Sequence, residues 1–278
     1  MYSFKELSFN FLLIGGVPYN NINNFYLNSN TNYFVIDARE KDLIKHDVKN
    51  YKTLKIFNEI IHTSRGSLYL NEDERSSSLY KANMDIIQRY RTDNVYSLKE
   101  IIPVTPKKYK DIGIDNISFD LLSVYIQGSE LDFFFDNQDL MRECSVIITN
   151  HYYEEIYKDT DNFVNINQIM NNNGFKFISN LTLNKFKDKY IEGLVVYINK
   201  KTKSEEQLTK LCLILFNLGL FENARWEILN NSSGNNHLYK KILSQYAKDQ
   251  YTNFNRLLNF INSIRFILKY LYYPLLYF

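Results

Sequence analysis

Cysteine is nearly absent, with two in a chain of 278 residues. Cys144 and Cys212 both sit in apolar segments, a usage that fits a reducing, cytoplasmic compartment. Histidine is equally sparse: His46, His62, His151 and His237 are scattered without ligand spacing, so no metal site is expected. Charge of one sign is not in surplus, since 33 Lys and Arg stand against 31 Asp and Glu. That balance provides no bulk basic field, and nucleic acid is not an expected partner. Met1 to Asn10 holds no continuous apolar stretch of the kind that opens a secreted chain, so no signal peptide is expected. The apolar end Phe266 to Phe278 contains Lys269 and falls short of the roughly 20 residues that span a bilayer.

What is abundant is aromatic: 23 Tyr and 20 Phe can fill a large core. The length suits one full α/β domain plus a smaller unit. Asn, Lys, Ile and Tyr are common throughout, which reflects nucleotide bias in the source genome. Phe9 to Gly15 reads as a first strand, Gly16 to Asn21 as a loop and Ile22 to Ser29 as a helix. Tyr33 to Asp37 reads as a second strand ending in an acid, followed by helix from Glu40 to Lys49 and strand from Thr53 to Ile61. Alternating strand and helix opens a doubly wound, mostly parallel sheet, with right-handed crossovers as the default. Further on, Gly66 to Asn71 reads as an added strand, Val95 to Thr105 as strand and connection, and Pro106 to Ile112 as a short helix. Glu130 to Glu143 reads as one helix, Ser145 to Thr149 as strand, Ile166 to Asn172 as helix, and Gly174 to Ile178 and Leu194 to Ile198 as strands.

The densest signal is Ile117 to Phe134. Leu121, Leu122, Val124 and Ile126 form a short apolar run that suits an interior parallel strand. Gly128 can adopt the backbone of a tight strand-to-helix turn. Glu130 and Asp132 then fall in the first helical turn, where negative charge suits the dipole. Ligands of open α/β sheets bind beyond the carboxyl ends of strands, which places Tyr125 to Glu130 at the crevice. Asp120, Leu121, Leu122, Gln127, Gly128, Ser129 and Glu130 fit the wording D-[FL]-L-K-I-D-x-[QE]-G-[AS]-E. In this the chain resembles the FkbM-type methyltransferases, over roughly residues 9 to 198. Ser123 stands where that family has Lys, and Tyr125 where it has a second Asp. Arg75-Ser-Ser-Ser-Leu79 is close to the family's S-S-S-L segment; Ser76 to Ser78 read equally well as the N-cap of a helix from Leu79 to Tyr90.

The resemblance implies a Rossmann-like class I methyltransferase fold and S-adenosylmethionine as cofactor, held over the first two strands. Gly15 and Gly16 would supply the turn that lets the backbone approach the cofactor. Asp37, roughly 20 residues on, would be the acid for its ribose hydroxyls. Tyr125 and Gln127 complete the expected cofactor-binding set. Leu13 replaces an Asp of the family, Tyr19 a Gly, and Asn150 a Glu at the end of a neighbouring strand. Leucine cannot accept a hydrogen bond and Tyr is neutral near pH 7. His151 and Glu130 remain as candidate general bases for a substrate hydroxyl, while a lone His after a strand is also an ordinary hydrogen-bonded residue.

Residues 1–200 are thus read as the methyltransferase-like domain and 201–278 as a C-terminal helical extension. Ser204 to Gln207 is a capping-box pattern opening a helix in which Leu208, Leu211, Cys212 and Leu215 keep helical spacing, and Gly219 marks its end. Glu222 to Leu229 fits a second helix. Leu257, Ile261, Ile264, Leu268 and Leu271 lie on one helical stripe. The Tyr-rich end has three readings: packing on the main domain, packing on a second copy, or peripheral attachment at a membrane interface. Three functions compete. The first is transfer of a methyl group to a hydroxyl of a sugar, polysaccharide or small natural product. The second is a degenerate domain retained for binding or scaffolding, and the third another nucleotide-dependent transferase in the same crevice.

Overall fold

In the computed structural model the described residues are 7–15, 30–38, 51–62, 66–90, 93–160, 163–186, 189–201, 203–231 and 240–244. The chain divides into two compact units, Met1–Lys203 and Ser204–Phe278. The first is built on a sheet of β1 (Phe9–Ile14), β2 (Thr31–Ile36), β3 (Thr53–Phe57), β6 (Leu121–Val124), β7 (Val146–Tyr152), β8 (Phe175–Phe186) and β9 (Lys189–Asn199). A separate antiparallel pair joins β4 (Ser67–Asn71) to β5 (Leu98–Pro103).

The strand order is β3-β2-β1-β6-β7-β9-β8. β3, β2, β1, β6 and β7 run parallel, β9 runs antiparallel to β7, and β8 turns back along β9. A mostly parallel Rossmann-like sheet with a reversed strand next to its edge is the class I methyltransferase form of the α/β fold. Chain order changes direction between β1 and β6, so the crevice beyond their carboxyl ends is the switch point where such sheets bind ligands.

The central strands form because their sequences are apolar on both faces. All four residues of β6 are buried, and β1 and β2 are buried at five of six positions. On one face Leu12, Ile14, Phe34, Leu122, Val124 and Ile147 pack with Phe133, Phe134 and Met141. Each such side chain contributes on the order of 1.5–3 kcal/mol by leaving water. A smaller cluster gathers Leu79, Tyr80, Tyr152, Ile156 and Tyr157 near the crevice.

Several elements differ from expectation. β3 ends at Phe57, and Ile61 makes only an isolated bridge to Lys107. The helix expected from Glu130 to Glu143 is two helices, Glu130–Asp136 and Gln138–Glu143. Asn137 separates them: its Nδ2 donates back to the Phe133 carbonyl at 2.8 Å while its backbone leaves the helical region (φ −125, ψ 40). β8 and β9 extend well beyond their apolar kernels as a hairpin. Register shifts near Phe177, Asn180 and Asn184 interrupt the alternation that would have marked β8.

In the second unit, Ser204 caps the helix Glu205–Asn217 reciprocally with Gln207, as the capping-box pattern implies. Gly219 follows in a left-handed conformation (φ +77), and Phe221–Asn231 is the next helix. No helix among the described residues is long and apolar enough to cross a membrane. The expected helices at 22–29 and 40–49, the stripe from Leu257 to Leu271 and the Tyr-rich end lie outside the described residues.

Candidate functional site

Three strand exits are joined side by side at the switch point. The Gly15 N–H donates to the Ile36 carbonyl at 2.9 Å, and the Tyr125 N–H donates to the Ile14 carbonyl at 2.8 Å. Gly15 takes φ +80, and a Cβ there would meet the Tyr125 carbonyl oxygen at 2.1 Å. Only glycine fits on both counts. Asp37 directly follows β2 and is buried, its N–H donating to the Phe57 carbonyl at 3.1 Å. The exits of β2 and β1 therefore bring Asp37 and Gly15 together at one edge. Gly16 lies outside the described residues.

Beyond β6 the chain makes a tight turn in which Gln127 (φ +53) and Gly128 (φ +96) are both left-handed. Left-handed geometry costs a non-glycine residue roughly 1–2 kcal/mol, so the turn needs supports. Glu130 is one of them: its carboxylate accepts from the Ile126 N–H at 3.0 Å and the Gly128 N–H at 2.7 Å. The carboxyl is fully buried, and desolvation pushes it up to about 7 against the opposing pull of the backbone amides. Sequence reasoning offered Glu130 as a base; its carboxylate is spent on the loop's own amides.

A network of neutral groups provides the other supports. Tyr152 Oη donates to Gln127 Oε1 at 2.9 Å and accepts from Asn150 Nδ2 at 2.9 Å. Tyr157 Oη lies 2.9 Å from the same Oε1 and 2.8 Å from the Ser76 carbonyl, so two acceptors share its single proton. Burial raises both phenols well above their ordinary range, which keeps them protonated. Ser78 Oγ donates to the Gln127 carbonyl and accepts from the Tyr80 N–H at 2.9 Å. Ser76 to Ser78 do not cap a helix from Leu79. The helix is Met84–Arg89 with Asn83 at its N-cap; Ser78 Oγ instead holds the Gln127 turn, Ser77 Oγ accepts from the Asn71 N–H, and Ser76 Oγ lies on the Asp73 and Val95 carbonyls.

His151 belongs to a different place. Alternation along β7 puts it on the face opposite Asn150 and Tyr152. Its ring centroid is 4.4 Å from that of Phe163, Nε2 is 3.3 Å from Tyr153 Oη, and Nδ1 is buried without a partner. Burial lowers its pKa to about 4, leaving it neutral at pH 7. The strand thus carries His151 away from Gln127 and Glu130, and the two candidate bases do not converge.

A constellation that sequence reasoning missed involves His62, Tyr80 and Asp132. His62 Nε2 lies 3.1 Å from Asp132 Oδ2, and Tyr80 Oη donates to that same oxygen. These residues come from three separate segments of the chain, so no local spacing could have marked them. Among the described residues no group of three or more His, Cys, Asp or Glu side chains could hold a metal ion.

No family model matches the chain, and no curated protein matches it. Solved structures to which it is similar include the magnesium protoporphyrin IX methyltransferase of Synechocystis PCC 6803 with bound S-adenosylmethionine. That likeness has a TM-score of 0.34 and 10% identity, over 69% of this chain and 70% of that one. Another is a protein in the NADB-Rossmann superfamily from Streptococcus agalactiae, with a TM-score of 0.33 and 11% identity over 89% and 91% of the two chains. At these scores neither likeness carries weight here, and the fold rests on the strand order.

Proposed function

We propose that the chain is an S-adenosylmethionine-dependent methyltransferase that acts on a hydroxyl oxygen of a sugar, polysaccharide or small natural product. The observation that carries this reading is the joining of Gly15 and Asp37 at adjacent strand exits beside the switch point. The donor chemistry of that edge fits the cofactor: Asp37 can accept from ribose hydroxyls, and Gly15 lets the backbone approach closely. When bound, the cofactor supplies a methyl group on a positively charged sulfur. The chain's own residues would bind and orient it: Asp37 would hold the ribose hydroxyls, and Tyr125 and the Gln127 turn would border the side where the methyl group is transferred. Rate then comes from alignment of the two reactants in a water-poor crevice. The reading also keeps a soluble, cytoplasmic setting, with a homo-oligomer or peripheral membrane contact through the C-terminal helices as the partner expectation.

A second reading, a binding or scaffolding module descended from such an enzyme, is favoured by one feature. The Gln127 side chain already accepts from Tyr152 and lies against Tyr157, so protein groups occupy it. Equilibrium dialysis with labelled S-adenosylmethionine separates the two. The enzyme reading expects retention by the full chain, and Tyr125→Asp should alter turnover rather than create it. No retention by wild type and Tyr125→Asp alike would leave the scaffold.

A further inference from the structure

Asp132 Oδ2 is met by two side chains that approach from distant parts of the chain. His62 lies beyond β3, Tyr80 lies between β4 and β5, and Asp132 is in the first turn of Glu130–Asp136, after β6. In the sheet, β3 and β6 are separated by β2 and β1. A contact between the segment leaving β3 and the helix following β6 therefore reaches across the two strands whose exits carry Asp37 and Gly15.

Each participant is fixed by other bonds. The His62 N–H donates to the Lys107 carbonyl at 3.2 Å. Tyr80 is held by its N–H to Ser78 Oγ, and Ser78 in turn clasps the Gln127 carbonyl. The clasp thus ties Asp132 to the turn beneath the crevice. An ionised carboxylate only accepts, so Nε2 of His62 carries the proton in this pair. The His62 side chain is 3% exposed and that of Asp132 is 40% exposed. One member is buried scaffolding and the other opens to solvent.

We propose that Asp132 is the carboxylate that receives the acceptor's hydroxyl, with His62 and Tyr80 as its positioning residues; this rests on the methyltransferase reading above. The ligand class is an alcohol, as in a polyol or sugar. As the acceptor oxygen gives its lone pair to the incoming methyl carbon, the pair of the breaking sulfur–carbon bond stays on sulfur. The hydroxyl proton passes to the Asp132 carboxylate and from there to water. His62 and Tyr80 hold one carboxylate oxygen, which fixes the direction in which the group faces the alcohol.

Three measurements on the full chain test this. Calorimetry with S-adenosylmethionine, saturation-transfer NMR with glycerol and methyl α-glucopyranoside, and transfer of labelled methyl to those alcohols are compared in wild type and Asp132→Asn. Expected is cofactor affinity within about two-fold in both proteins, alcohol contact in wild type alone, and transfer reduced about 100-fold in the variant, the low end for a lost proton acceptor. Tyr80→Phe and His62→Gln should lower kcat by less. They should also move the acid limb of the pH–rate profile upward, because the carboxylate loses a donor, a shift that a merely structural role would not produce. Equal alcohol contact and equal transfer in wild type and Asp132→Asn would overturn the assignment. So would a wild type that binds cofactor and touches neither alcohol, and that result would leave the cofactor reading standing. A wild type that binds no cofactor overturns both.

Discussion

At the exits of β1 and β2 the crevice offers a left-handed glycine and an acid, Gly15 and Asp37. At the exits of β6 and β7 it offers Gln127, Asn150 and Tyr152, all neutral and bonded to one another, with Glu130 turned onto backbone amides. Both halves belong to one sheet, and their backbones meet at Gly15 and Tyr125. Backbone geometry and side-chain chemistry have therefore separated. The strand exits line up on both sides, while an acid closes one of them and a hydroxyl–amide network fills the other, with Asp132 on the helix beyond it.

The seam between the two halves is the costliest place to disturb. Gly15→Ala places a methyl 2.1 Å from a carbonyl oxygen in a left-handed backbone. Overpacking and strain together should cost about 3 kcal/mol or more, read as a lower urea midpoint with little change in slope. Next comes the neutral network. Tyr157→Phe removes the one proton shared by Ser76 and Gln127, and should cost roughly 1–3 kcal/mol by urea unfolding. Tyr152→Phe should cost a similar amount. The double variant should fall short of the sum, because both phenols serve the same Gln127 oxygen.

The smallest effect is a slope. Glu130 titrates at about 7 when folded, above its ordinary value near ~4.3, so the folded state holds the extra proton in between. Its contribution is fully present below about pH 4.3 and is lost as pH rises through about 7. His151 acts oppositely: its folded value of about 4 lies below the ordinary ~6.5, so stability falls as pH drops through that window. The two slopes oppose each other between about pH 4.3 and 6.5. Glu130→Gln should remove one, leaving stability that rises with pH there more steeply than in wild type. An unchanged profile would mean that Glu130 does not titrate in that window.

The strands were legible because burial on both faces leaves an apolar run, as in Phe9–Ile14 and Leu121–Val124. Asp37 was legible because an acid closes such a run. Gln127 to Glu130 were legible as a motif, but the inward turn of Glu130 was not, since a carboxylate's choice between solvent and backbone amides depends on burial. Ser76 to Ser78 suited a cap locally; the partner of Ser78, Gln127, is remote in the chain. His151 was misplaced because alternation on β7 decides its face, and the strand runs past its apolar kernel to Tyr152. Asp132 was read only as a favourable helix-start charge, and its pairing with His62 joins residues that no window connects.

Isothermal titration of the full chain with S-adenosylmethionine, in wild type and in Asp37→Ala, bears most directly on the central claim that the β1–β2 edge still holds the cofactor. Loss of a charged acceptor is worth roughly 1.5–3 kcal/mol, so the expected result is binding by wild type and an affinity about 10- to 100-fold weaker in the variant. No heat of binding in wild type, or equal affinity in both proteins, would contradict it.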